Sequence, residues 1–149
     1  MIKVFNNFIT QDFADEIMTY VRANCKQNVW GVSNLTYDPK LIESSAPIFS
    51  MQLHEKINKK IKKFYTDKFK EFKNKEFLVE FKIYAPYSYI TWHGDDVYLA
   101  GSTIYLNREY YENDGGIFLY KDHKNDIRGI EPKYRSMFLR ETLQIFIRS

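Results

Sequence analysis

Cysteine is nearly missing from this sequence, with Cys25 its sole representative. A lone thiol excludes an intramolecular disulfide and fits a reducing cytoplasm, the expected location. Its plain reading is a small buried or half-buried side chain. Long apolar runs are missing as well. No stretch reaches the length that crosses a bilayer, and Met1 to Asn6 lacks the apolar core of a secretory signal, so no membrane partner is expected. Neither sign of charge dominates: 22 Lys and Arg against 19 Asp and Glu leave a net +3. That balance is too mild to imply nucleic acid by itself. No internal repeat or low-complexity linker divides the 149 residues, so residues 1–149 are expected to form a single domain with a real core. Histidine is scarce too, at three residues, and none follows His123.

Aromatic rings are plentiful. They make up 17% of the chain, with twelve Tyr and twelve Phe, a bias that favours a sheet-rich core and a pocket lined with rings. Ile2 to Phe5 reads as a short strand and Asn6-Asn7 as a turn. Thr10 is positioned to cap a helix, with Asp12 and Asp15 where the helix dipole favours negative charge. Phe13, Ile17, Tyr20 and Val21 then form an apolar stripe at helical spacing. From Gln27 to Ala46 the pattern is irregular, with turn signals at Gly31 to Asn34 and Tyr37 to Lys40. Trp30 in this stretch reads as a buried anchor or as a residue of a loop beside a site. A second helix is predicted from Phe49 to Phe72, because Leu53, Ile57, Ile61 and Phe64 repeat at helical intervals. Its lysines (Lys56, Lys59, Lys60, Lys63, Lys70, Lys73) stand beside aromatics, as on some nucleic-acid-binding faces. Glu55, Asp67 and Glu71 are interspersed, which favours a solvated face and ranks nucleic acid last among partners. His54 reads as a partly packed surface residue.

Glu76 to Tyr84 alternates as one strand: Phe77, Val79, Phe81 and Ile83 share a face, and Leu78, Glu80, Lys82 and Tyr84 take the other. Further strands are predicted at Val97 to Tyr105 and Ile117 to Tyr120, with a turn at Asn113 to Gly116. Asp122 to Asp126 is a polar hairpin tip carrying His123. Short strands after two helices indicate an α+β fold, a helix-flanked antiparallel barrel or jelly roll.

Chemistry concentrates at Trp92-His93-Gly94-Asp95-Asp96. In His-x-Asp, an imidazole and a carboxylate two residues apart project to the same side of an extended chain. Both can then meet one metal ion, as in the two-His, one-carboxylate centres of non-haem Fe(II) oxygenases. The plain alternative is a turn histidine with a capping aspartate. Asp96 reads as a neighbour of the site or a solvent-facing residue.

Four stretches around this motif resemble the prolyl-4-hydroxylase-like branch of the 2-oxoglutarate- and Fe(II)-dependent dioxygenases. Tyr84 to Trp92 is similar to that family's tyrosine-rich approach to the metal motif, although the family's frequent glycine in that turn is missing. Thr103 to Asn107 is close to its Tyr-Leu-Asn strand. Asp114 to Tyr120 is similar to its Gly-Gly-x-Phe strand, and Ile130 to Tyr134 to its Ile-x-Pro-x-Tyr segment. The resemblance implies a double-stranded β-helix (jelly roll) flanked by N-terminal helices. It implies Fe(II) held by His93 and Asp95, 2-oxoglutarate contacted by Tyr84 and Tyr105, and hydroxylation of a peptidyl (prolyl-like) or small-molecule substrate. Ascorbate is admitted as an accessory reductant. For the two tyrosines, the plain alternative is aromatic packing.

The chain departs from that family near its end. The third ligand, a histidine about a dozen residues past Pro132-Lys133-Tyr134, has no counterpart in Met137 to Ser149. Gln144 is the polar residue nearest the expected position, and His123 comes too early. Arg140 and Arg148 do not match the spacing of the basic residue that clamps the cosubstrate. The jelly roll is therefore expected to be incomplete at its C-terminus. A truncated oxygenase, a catalytically inactive binding or scaffold protein, and a barrel completed by another copy through an open sheet edge all remain open readings.

Overall fold

The computed structural model describes residues 2–34, 40, 46–93, 99–111, 114–141 and 146–148, the chain from 140 onward by backbone alone. Strand β1 (Ile2–Phe5) turns at Asn6-Asn7, where Asn7 takes a left-handed φ of 50°, a conformation asparagine tolerates. Helix α1 (Gln11–Ala23) follows, capped as expected: the Thr10 hydroxyl accepts from the Phe13 N–H at 3.3 Å. Its buried stripe is Phe13, Ala14, Ile17 and Val21. Beyond its end Cys25 is exposed, so the buried or half-buried packing expected for the thiol is not its role.

Next come β2 (Trp30–Ser33) and β3 (Ile48–Gln52), paired antiparallel. The stretch expected to be an irregular turn at Gly31 is thus a strand. Gly31 fits there because a Cβ would meet the Ser50 hydroxyl at 3.2 Å. Trp30 is the anchor, half-buried, donating its indole N–H to the Asn24 carbonyl at 3.1 Å. The helix expected from Phe49 is α2 (Glu55–Lys68) instead, followed by one 3-10 turn at Lys70–Phe72. Ile48 to Gln52 pairs with strands on both sides, and the His54 imidazole caps α2 by accepting from the Lys56 N–H at 3.2 Å. His54 is therefore a capping residue. Lysines of α2 are engaged: Lys59 with Glu55, Lys60 with Glu16, and Lys63 with Asp67.

The alternating run expected as one strand is two. Strand β4 (Glu76–Leu78) and β5 (Glu80–Tyr84) break at Val79 and join different sheets. The apolar alternation continues through the break, because Phe77, Val79 and Phe81 all pack on one core. Then follow β6 (Ala100–Ile104), β7 (Phe118–Lys121), β8 (Ile127–Ile130), β9 (Met137–Glu141) and β10 (Phe146–Arg148). Among the described residues these make a five-stranded sheet in the order β1-β9-β6-β10-β4, a three-stranded sheet β2-β3-β5 and the hairpin β7-β8. Every pairing is antiparallel except β6 with β10.

Both helices cover one face of the five-stranded sheet. Ile17 and Val21 of α1 and Ile57, Ile61 and Tyr65 of α2 pack with Ala100 of β6 and Met137 and Leu139 of β9. The Phe13 and Phe64 rings stack at 5.3 Å, and Phe8 meets Tyr65 edge-on at 4.8 Å. The Tyr65 phenol and the Ser102 hydroxyl close the contact at 2.6 Å, giving each buried oxygen a partner. Side chains alternate across a strand, so Phe138 and Tyr105 take the opposite face. There Phe138 is stacked on Phe118 at 4.1 Å, with the Tyr105 ring 6.0 Å from it. No helix among the described residues is long and apolar enough to cross a membrane.

Candidate functional site

The chain leaves β5 at Tyr84 and turns at once. The Ser88 N–H donates to the Ala85 carbonyl at 3.0 Å, and Tyr87 holds a left-handed φ of 67°. This is the turn in which the dioxygenase pattern has its glycine. A tyrosine there carries local backbone strain that glycine would not. The segment then runs to Thr91, Trp92 and His93.

His93 is half-buried, and its Nδ1 lies 2.6 Å from the Thr91 carbonyl oxygen. A carbonyl can only accept, so Nδ1 carries a proton. A proton on Nδ1 shared with a backbone carbonyl is what orients many metal-ligating histidines. Trp92 beside it is half exposed, with the Lys121 ammonium 5.7 Å from its ring centroid. Asp95, the proposed partner of His93, and Asp96 lie outside the described residues, as does Gln144. Among the described residues no three His, Cys, Asp or Glu side chains gather closely enough to hold a metal ion.

Tyr105 stands just past β6. Its N–H donates to the Ser136 carbonyl at 3.0 Å, and its carbonyl accepts from the Arg135 N–H at 2.8 Å. Its ring packs 6.0 Å from Phe138, and its hydroxyl approaches the Gly116 carbonyl at 3.5 Å, the outer limit of a hydrogen bond. Burial pushes the Tyr105 phenol well above its ordinary pKa, and the neighbouring phenols of Tyr84 and Tyr110 push it the same way. The fold thus brings Tyr84 and Tyr105, twenty-one positions apart, into one electrostatic neighbourhood. Tyr105 stays a neutral donor throughout the physiological range. Tyr84 itself is 49% exposed.

Two residues at this site were not singled out in the sequence. Tyr110 lies near Tyr105 from a loop and Lys121 near Trp92 from a hairpin end, and no local pattern marks either. His123 sits on the exposed β7-β8 tip, as expected. That tip is ordered by Asp122: its carboxyl loses solvation, yet hydrogen bonds from Arg128 and from the Lys124 and Asp126 N–H groups hold it below the usual carboxylate range. Among the described residues, surface grooves lie elsewhere. One, about 380 Å³, is lined by Val4, Asn6, Ile130, Glu131 and Lys133; the other, about 320 Å³, by Cys25, Val32, Phe49 and Ile83. Neither includes His93, Tyr84 or Tyr105.

No family model matches the sequence, and no curated protein matches it. A solved structure does. A Pseudomonas putida prolyl-4-hydroxylase superposes with a TM-score of 0.71 at 14% identity, covering 98% of this chain and 82% of that one. The likeness spans both helices and the antiparallel sheets. The chain has a prolyl-4-hydroxylase-like fold.

Proposed function

We propose that the chain is a 2-oxoglutarate- and Fe(II)-dependent oxygenase that hydroxylates a peptidyl (prolyl-like) or small-molecule C–H bond. The observation that supports this reading is the His93 Nδ1 contact to the Thr91 carbonyl within a prolyl-4-hydroxylase-like fold, with Nε2 the nitrogen that would ligate. His93 and Asp95 would hold the metal. Bound iron supplies activation of O2, so that substrate, O2 and 2-oxoglutarate become hydroxylated substrate, succinate and CO2. The protein's share is positioning. Tyr105, kept protonated, would donate its phenolic O–H to a carboxylate of the cosubstrate, with Tyr84 beside it. Phe118 and Phe138 form a stacked apolar wall behind Tyr105 that keeps water from that side. We read the sheets as the walls of a jelly roll and residues 1–149 as one domain. We place the protein in the cytoplasm, with self-association through an open sheet edge.

A second reading is favoured by one specific observation: no histidine follows His123, so His93 and Asp95 stand without the usual second imidazole. In that reading the chain is a catalytically inactive jelly-roll binding or scaffold protein. Anaerobic titration of Fe(II) with 2-oxoglutarate separates the two. The oxygenase reading expects the visible charge-transfer band of the ternary complex, lost in His93→Ala and in Asp95→Ala. Absence of the band in the folded parent protein, with a melting temperature indifferent to both ligands, would establish the inactive reading.

A further inference from the structure

We infer that Lys121, on the far end of the β7 strand, is a positioning residue for His93, acting through the ring of Trp92. Three observations make the chain of contacts. The Lys121 ammonium lies 5.7 Å from the Trp92 ring centroid, within range of a cation–π attraction. Trp92 immediately precedes His93. The carbonyl that accepts the His93 Nδ1 proton belongs to the peptide linking Thr91 to Trp92. A peptide unit is planar, so fixing Trp92 constrains that plane, and the plane sets where the carbonyl points. Lys121 is itself held on a firm base. It pairs with Ile127 across the hairpin, and Asp122 beside it anchors the turn through its backbone bond to Asp126 and its carboxylate bonds to Lys124, Asp126 and Arg128. The hairpin thereby reaches across to a loop remote in sequence and selects the tautomer and ring orientation of the histidine.

The metal-binding consequence rests on the function proposed above; the effect on the His93 ring does not. The test therefore has two readouts. The first is the ring nitrogen NMR spectrum of His93 at about pH 8, above the usual histidine range. The chain has only three histidines, and His93→Ala assigns the signal. The parent and Lys121→Arg are expected to show the Nδ1-protonated form. Lys121→Met is expected to shift toward the mixed tautomers of a free imidazole, with an unchanged melting temperature. An identical His93 spectrum in Lys121→Met would overturn the inference. The second readout is Mn(II) affinity by titration of the free ion's EPR signal. Lys121→Met should bind about three-fold more weakly, the factor an exposed cation–π contact supports, and Lys121→Arg should recover it. If the parent binds no Mn(II) while the tautomer still depends on Lys121, the metal reading fails and the positioning role stands. If Mn(II) binds equally in all three proteins, the role of Lys121 toward the metal is refuted.

Discussion

The two faces of the five-stranded sheet come from the same strands and are packed differently. On β6, Ala100 and Ile104 join the helix-side core and Ser102 bonds Tyr65 there, while Tyr105, next along the chain, points the other way. On β9, Met137 and Leu139 lie under the helices, and Phe138 between them stacks on Phe118 instead. The helix side is closed, with its buried hydroxyls matched. The opposite side sets the Tyr105 phenol beside the Phe118 and Phe138 rings, and Tyr84, close enough to raise the Tyr105 pKa, is half exposed. The first face is the sealed core, and a sealed, interdigitated core has no room for a ligand, so the proposed chemistry belongs to the second.

The largest break of this contrast is expected from Ile17→Ala. Ile17 is 2% exposed beneath α1, and its truncation should cost about 3 kcal/mol in urea denaturation. Mn(II) binding at the far face should hardly change. Next is Tyr65→Phe, which leaves the Ser102 hydroxyl without its partner and should cost about 1.5 kcal/mol at neutral pH. It also tests the alkaline limb. Burial raises the Tyr65 pKa, and the Ser102 hydrogen bond offsets part of that rise. A raised phenol pKa gives stability that is intact below about pH 10 and is lost as pH climbs toward the folded value. The parent should weaken above about pH 10, and Tyr65→Phe should weaken less steeply.

On the open face the effects on stability shrink. Tyr87→Gly removes strain from a left-handed residue whose side is 87% exposed, so a gain of about 0.5 kcal/mol in thermal or chemical unfolding is expected. A loss there would show that the Tyr87 ring makes contacts worth more than the strain. Tyr105→Phe should change stability by less than about 0.5 kcal/mol, since its 3.5 Å hydroxyl contact is marginal. The same variant should weaken 2-oxoglutarate binding to the metal-loaded protein about ten-fold, as measured by calorimetry. Unaltered cosubstrate affinity would remove Tyr105 from the binding role and leave it as packing.

Much of this architecture was legible in local pattern. The Thr10 cap, the stripe of α1, the turn at Asn6-Asn7 and the β7-β8 tip each depend on residues a few positions apart. The misassigned strands share one cause. Phe49 to Gln52 was read as helix and Gly31 to Ser33 as turn, whereas each gains its hydrogen bonds from a distant strand. The break at Val79 was invisible for the same reason: alternation reports which side is apolar and says nothing of which sheet supplies the partner. At the site, His93 was marked by its motif. The carbonyl that orients it and the lysine that holds its neighbour were not.

By itself the sequence determined the helical stripes, the caps, the alternation of the strands and the His-x-Asp motif, because these follow from backbone periodicity and short-range hydrogen bonding. Only the tertiary structure decided that Tyr84, Tyr105 and Tyr110 share one neighbourhood, that Tyr105 holds its proton, and that Lys121 reaches Trp92. Those relations depend on burial and on through-space distance between residues far apart in the chain, quantities that exist only once the sheets have closed on one another.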